Sequence, residues 1–540
     1  MQSNVLAGVT AAVQRAANYR GKPFPQTHPD RLATLARLHG LDAKLPNGCR
    51  VLELGCGDGG NLIPMAFELS GSEFVGIDLA ADRVEVGAAW ARHLGLGNVR
   101  LEARDISDIG DEYGKFDYIV AHGVYCWVPA PVRDRLFEAC RALLEPTGVA
   151  YVSFNTKPGW HFLEYLRDFA LLSARQGESA PPDVLLKNIR GLAQLYAQEL
   201  PSEGGLALHL KELYTRLSKT SDYLLAFDYL GEISEPIGLV DFVQHAERFD
   251  LRYLIDANYY ETEWRNLPKR ARTALSGLSQ DAIAREAFAD CFTGRLFRRA
   301  LLCHRAATLR APEPSDVKKL QILGNAKRLE AKQADSLDGP ASYEMLHGAR
   351  ITVTAPVVKL ALARLAEAWP GSVRFGQLHD SVAKGLPGGG GGAQLEPTLA
   401  GAVWEMYCLG ALDLRQLPPD CVADPGERPY ASALARSQLS FGDAVTNQHH
   451  DFTRLLDPVS LELFKRLDGQ RTRAELTQEL RELAHAGKLA GASPSASQAE
   501  LAAAVDERLT AWAKHALLSE PRRQSAAQKS KGDLGGSRPS

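Results

Sequence analysis

The sequence predicts an α/β protein: an open, mostly parallel sheet covered by helices on both faces, followed by a mainly helical domain and a C-terminal winged-helix-like domain. Three observations predict the sheet. The apolar run Val51-Leu-Glu-Leu54 breaks into Gly55-Cys-Gly-Asp-Gly-Gly60, the signature of a buried strand turning sharply into a helix. Three more short apolar segments, at 74–77, 99–103 and 116–121, follow at spacings that leave room for intervening helices. Acids stand at or just beyond the ends of the first three strands, namely Glu53, Asp78 and Asp105. That is the edge at which open α/β sheets bind ligands.

Ahead of the first strand, residues 18–30 carry Pro23, Pro25 and Pro29 among aromatic side chains and cannot form regular structure. This segment reads either as a lid over the ligand or as packing beneath the sheet, and a helix over 31–41 follows it. Gly55, Gly57 and Gly59 lack Cβ, so the loop can take positive φ and bring its amides close to a ligand. Gly55, Gly57 and Gly60 also satisfy G-x-G-x-x-G, with Asp78 where a ribose-binding acid belongs, so the glycines alone fit a nicotinamide dinucleotide as well as S-adenosylmethionine. Glu53 separates the two. Two residues before the first glycine, it would repel a pyrophosphate and attract the ammonium of a methionine moiety. Asp78 can hold both ribose hydroxyls, and Asp105 can accept the exocyclic amine of adenine. Asp58 reads as a cap for the following helix.

Acids after strands one, two and three, together with the phrase E-L-G-C-G-D-G-G, resemble the class I S-adenosylmethionine-dependent methyltransferases. The resemblance implies a Rossmann-like sheet and S-adenosyl-L-methionine as cofactor. It assigns cofactor binding to Glu53, Gly55, Cys56, Gly57, Asp78, Leu79, Asp105, Ile106 and His122.

The last strand expected in this domain is 149–154, which places the domain boundary near 165. From about 162 to 310 the periodicity becomes helical, with Leu163, Leu166, Phe169 and Leu172, then Leu186, Ile189, Leu192 and Leu195, at helix spacing, and 166–310 is expected to form the helical regulatory domain. The stretch 251–256 fits either a strand or a helix end. Residues 311–350 are polar and read as a linker. A third unit spans 351–520; in it 388–392 is a glycine run expected to be flexible, and Thr472 with Glu475 forms a capping box. Residues 521–540 lack periodicity and are expected to be disordered.

The length of 540 residues implies about three domains. A hydrophobic fraction of 45% and a net charge of −3 suit a globular protein with no general affinity for nucleic acid or an anionic membrane. The eight cysteines include no C-x-x-C, which argues for reduced thiols rather than disulfides or a zinc site. With no signal peptide and no apolar run of about 18 residues, a cytoplasmic protein without membrane insertion is expected. The adjacent His449 and His450 have no partnering acid pattern, so no metal is expected. The 475–482 stretch is acidic, the wrong sign for a phosphate backbone, so the winged-helix pattern carries no expectation of DNA binding.

His122-Gly-Val-Tyr-Cys-Trp-Val-Pro129, Asn155-Thr-Lys-Pro-Gly-Trp-His161 and Arg295-Leu-Phe-Arg-Arg-Ala-Leu-Leu-Cys-His304 resemble bacterial class I methyltransferases carrying a methyltransferase regulatory domain. That group includes the rickettsial protein lysine methyltransferases. The resemblance covers most of the chain and implies a protein substrate methylated on lysine. Where this chain has Phe227-Asp-Tyr-Leu230, the family commonly places a His before the acid, so any role of that His is absent here. A small-molecule acceptor, with the added domains serving as lid or homodimer interface, is the alternative, and a cofactor-sensing interaction protein is a third reading.

A lysine acceptor must lose its proton before attack, since the ammonium (pKa about 10.4) has no lone pair. Burial among aromatic side chains and a few amide acceptors suffices for that. Tyr125, Trp127, His122 and Asn155 are the catalytic candidates, because they follow strands at the ligand-binding edge of the sheet. Trp160 and His161 are candidates to close the wall, with Tyr19 and His28 above it.

Overall fold

The structure, a computed structural model, describes residues 21–521 apart from 177–180, 279–280, 330–336, 388–391, 492 and 494. Tyr19, the glycine run at 388–391 and the tail beyond residue 521 therefore lie outside the described residues.

Seven strands make the central sheet: β1 (Arg50–Leu54), β2 (Glu73–Asp78), β3 (Val99–Ala103), β4 (Phe116–Ala121), β5 (Leu144–Asn155), β6 (Leu251–Asp256) and β7 (Phe297–His304). Their order is β3-β2-β1-β4-β5-β7-β6. The first five run parallel, and β7 is antiparallel to both β5 and β6. Helices α1 (Pro29–Leu38), α2 (Leu62–Glu68), α3 (Ala81–His93) and α4 (Ala130–Leu143) pack around it. Because side chains alternate along each strand, Val51, Tyr118, Val149 and Tyr151 face α1 and α2 through Leu32, Leu35 and Met65. Leu52, Leu54, Ile119 and Phe154 face the opposite side, against Leu136 and Phe137 of α4.

The segment expected to be helical from 166 to 310 is only partly so. Helices α5 (His161–Gln176), α6 (Pro182–Glu199) and α7 (Gly205–Ser218) build a core of their own around Leu166, Ile189 and Leu217. The chain then returns to the sheet and supplies β6 and β7. Short apolar runs such as 251–256 do not reveal by periodicity whether they are strands; pairing decides. Between these strands, α8 (Ala282–Thr293) is tied to the sheet by Arg298, which is 1% exposed. Its guanidinium donates to both oxygens of Asp290 at 2.7 and 2.9 Å and to Glu286 at 3.0 Å. Removing one member of such a buried set leaves uncompensated charge. Arg298→Ala is therefore expected to lose about 3–5 kcal/mol in denaturant titration; a loss below about 1 kcal/mol would contradict this.

The polar stretch 311–350, expected to be a linker, also holds strands. Gln321–Leu323 is the central strand of a three-stranded antiparallel sheet with Val373–Arg374 and Asp413–Arg415. With helices Pro356–Ala368, Phe375–Gly385 and Leu395–Cys408, this unit shares one core with the α1 face of the main sheet. Arg31 of α1 pairs with Asp413 at 3.0 Å, and Asp30 accepts from the amides of Gln416 and Leu417 at 3.0 and 2.8 Å. The region 351–520 thus contains two cores. The second surrounds Leu463, Phe464, Leu480 and Leu509, in helices Pro458–Lys465, Arg473–His485 and Gln498–Lys514. The Thr472 capping box forms: Thr472 Oγ1 accepts from the Glu475 amide at 3.2 Å, and Glu475 accepts from the Thr472 amide at 2.7 Å. No helix among the described residues is long and apolar enough to cross a membrane.

Candidate active site

The carboxyl ends of β1 and β2 and the loop between them form a cradle. The amides of Gly55 and Cys56 both donate to the Ile77 carbonyl, at 2.9 and 3.0 Å, pinning the loop to β2. The Gly57 amide then donates to Asp78 Oδ2 at 2.7 Å, while Asp78 Oδ1 accepts from the Ala80 amide at 2.9 Å. Each carboxylate oxygen keeps a further lone pair for a ribose hydroxyl. Gly57 has φ of 55°, and a Cβ built on it meets nothing within 4 Å, so the loop leaves open space on this side. Leu79, the next residue after Asp78, is 75% exposed, an apolar surface beside the cradle. Asp105 holds the start of a short helical turn, accepting from the Ser107 amide at 2.7 Å, and Ile106 packs onto the α4-side core.

Glu53 is the unusual member. It is 4% exposed, and one oxygen accepts from Asn61 Nδ2 at 2.8 Å. The other oxygen is buried with no hydrogen-bond partner among the described residues. Burial, reinforced by the charges of Asp78 and Asp58, pushes this carboxyl up to about 8. A buried acid with a vacant oxygen is a receptor for a cation. An open glycine, an acid with lone pairs free for hydroxyls, an apolar shelf and an orphaned carboxylate oxygen together fit S-adenosylmethionine.

Strand alternation carries Glu53, His122, Ser153, Asn155 and Phe297 to the α1 side of the sheet, on the neighbouring strands β1, β4, β5 and β7. His122 stacks on Phe24, with ring centroids 3.7 Å apart, and its Nδ1 lies 2.9 Å from the Tyr151 hydroxyl. The proline-rich segment therefore passes above the carboxyl end of β4, over the site. Burial, and then the charge of Arg299, pulls His122 down to about 3, so it is a poor proton acceptor and stays neutral. The Gly123 amide donates to Ser153 Oγ at 2.8 Å. Asn155 is 3% exposed, and its Nδ2 is buried without a partner among the described residues, a donor awaiting an acceptor.

Other candidates fall elsewhere. Tyr125 is 1% exposed on the opposite face, packed against Phe137, Phe154 and Phe242. Its hydroxyl lies 2.6 Å from His245 Nδ1, whose Nε2 is 2.7 Å from Asp134, and burial drives the phenol well above its ordinary range. After Gly123, with φ of 69°, the chain makes the short helical turn Tyr125–Trp127, which the run His122–Pro129 does not announce. Tyr125→Phe is accordingly expected to lower stability by about 1–2 kcal/mol with cofactor affinity unchanged, checked by thermal melts and calorimetry. Trp127 packs between the α4-side core and the helical core, and Trp160 lies inside the latter. His161 pairs with Glu164 at 2.5 Å on the surface. His28 accepts from the Asp30 amide at 3.2 Å and faces Glu68 at 3.4 Å rather than the acceptor wall. Asp58 does not cap α2; it accepts from the amides of Gly21 and Gly60 at 2.9 and 3.2 Å, fastening the N-terminal segment to the loop. Asn61, which sequence reading passed over, holds Glu53 in place. Its position, eight residues after the acid and at the start of α2, is the only signal that could have found it.

Comparison with known families gives matches to a "Methyltransferase domain" over residues 51–148, a "Predicted methyltransferase regulatory domain" over 221–304, and "PKMT, C-terminal winged helix domain" over 427–517. The uncharacterized protein RP789 of Rickettsia prowazekii is 32% identical over 375 residues, 67% of this chain and 66% of that relative. RP028 of the same organism is 32% identical over 232 residues, 43% of this chain and 92% of its own. The structure of PKMT2 from Rickettsia typhi in complex with AdoHcy superposes with a TM-score of 0.82 at 27% identity, over 93% of this chain and 99% of that one. The chain belongs to the rickettsial-type PKMT family of class I methyltransferases. S-adenosylmethionine is its cofactor.

Proposed function

We propose that this protein transfers the methyl group of S-adenosylmethionine to lysine side chains of protein substrates. The observation that carries the reading is that the likeness to PKMT2 spans the full architecture, including the appended units, rather than the methyltransferase sheet alone. When bound, the cofactor supplies a methyl group already activated on a sulfonium, so the protein's task is alignment and delivery of a neutral amine. Glu53 binds the cofactor's ammonium, and Asp78 and Asp105 hold its ribose and adenine ends. On the acceptor side, Phe24, His122, Tyr151 and Phe297 form a desolvated wall. The burial that pulls His122 down to about 3 penalises any cation placed beside it, a lysine ammonium included. The amine therefore arrives deprotonated without a strong base at hand. Asn155 offers its unpaired Nδ2 to the acceptor's peptide carbonyl or to the cofactor's carboxylate.

Labelled S-adenosylmethionine incubated with the protein and a cell lysate tests the reading. Base-stable label in discrete protein bands is expected, because N-methyl groups survive alkali and carboxyl methyl esters do not. Label confined to low-mass material would instead favour a small-molecule acceptor.

A further inference from the structure

We infer that His450, from the C-terminal winged-helix unit, and Asn61 are positioning residues of the cofactor site, so that the cofactor's acid is fully aligned only when that unit is docked. The inference rests on Glu53 receiving the cofactor's ammonium, as argued above.

Asn61 is the junction. It is 4% exposed and its Nδ2 donates to Glu53 Oε1 at 2.8 Å. Its Oδ1 accepts from the Phe24 amide at 2.9 Å, with the Thr27 hydroxyl 3.1 Å away. His450 Nε2 reaches the same oxygen at 3.1 Å, although it lies 389 residues further along the chain. Three segments distant in sequence thus converge on one amide, and that amide holds one oxygen of Glu53 while the other stays vacant. A buried carboxyl has little water to orient it, so its rotamer depends on this donor.

The His450 end is built to hold its place. The residue sits between the paired strands Ala444–Thr446 and Phe452–Arg454, with φ of 56°, and is 3% exposed. Asn447 Oδ1 accepts from the amides of His449 and Asp451 at 3.0 and 2.9 Å, fixing the turn. A non-glycine residue held at positive φ in a buried turn is a cost accepted for its placement. His28, Glu68 and Arg415 surround the ring. Burial first, then His28 and Arg415, keep the imidazole well below its ordinary range. It is therefore neutral and donates through Nε2–H, the form that Asn61 Oδ1 requires.

Calorimetric titration of the full-length protein with S-adenosylhomocysteine tests this. His450→Ala is expected to weaken binding about tenfold, the worth of one buried hydrogen bond. His450→Gln carries an amide donor near the position of Nε2 and is expected to recover affinity to within about threefold, which a purely packing role would not produce. Asn61→Asp keeps the shape but removes the donor and sets a second carboxylate against Glu53, and is expected to weaken binding at least as much as His450→Ala. Wild-type affinity in His450→Ala, or a His450→Gln protein as weak as His450→Ala, would overturn the inference. A wild-type chain that fails to bind would overturn the cofactor site itself, a distinguishable outcome.

Discussion

Glu53→Gln is expected to stabilise the cofactor-free protein at pH 8 to 9 while weakening cofactor binding by about 100-fold, the loss of a buried charge pair. The sign follows from the direction of the shift. The carboxyl titrates near 8 in the folded chain, against 4.5 for an unperturbed glutamate. A raised value means that the folded state binds the proton more tightly, so the protonated acid's contribution is fully present below about pH 4.5. It is lost as pH rises through 8, at a cost on the order of a few kcal/mol. Glutamine cannot ionise, yet still accepts from Asn61, so the variant escapes that loss. Thermal melts from pH 5 to 9 should therefore converge in acid and separate in base, with the variant melting higher. Calorimetry in buffers of different ionisation enthalpy provides a second measure. At pH 7 the ammonium of the cofactor favours ionised Glu53, so wild-type binding should release a proton that the variant does not. Parallel melting curves, or equal proton release, would contradict the role assigned to Glu53.

Asp78→Ala is expected to remove cofactor binding to the limit of calorimetric detection, a loss of at least about 100-fold. Two functions go together: the carboxylate offers its free lone pairs to the ribose, and it orders the loop by accepting from the amides of Gly57 and Ala80. The strand-end position keeps the side chain out of the hydrophobic core, so the melting temperature should fall by only a few degrees. Binding within tenfold of wild type would mean that the ribose is held elsewhere.

The cradle proposed for the cofactor was legible in the sequence because it is local. Gly55, Gly57, Asp78 and Asp105 each lie at a strand end, where chain order alone fixes their neighbourhood. The acceptor half was less so. His122 and Asn155 share a face because β4 and β5 are adjacent and their side chains alternate, which chain order also implies. Tyr125 stands three residues after His122, an odd offset that, with the short helical turn Tyr125–Trp127, buries it on the other face. The strand β6 stayed open and β7 was missed because, over six or eight residues in which Arg252, Arg298 and Arg299 interrupt the apolar side chains, an antiparallel strand at the sheet's edge and a helix end look alike. His450 was out of reach, since its meeting with Asn61 arises only when residues 389 positions apart touch.

The most direct measurement is hydrolysis of labelled protein products to amino acids after methyl transfer, with chromatography against methylated standards and Asp78→Ala as control. The account predicts label in Nε-methyllysine, absent from the control. Label in any other amino acid, or in lysine at equal level with Asp78→Ala, would contradict it.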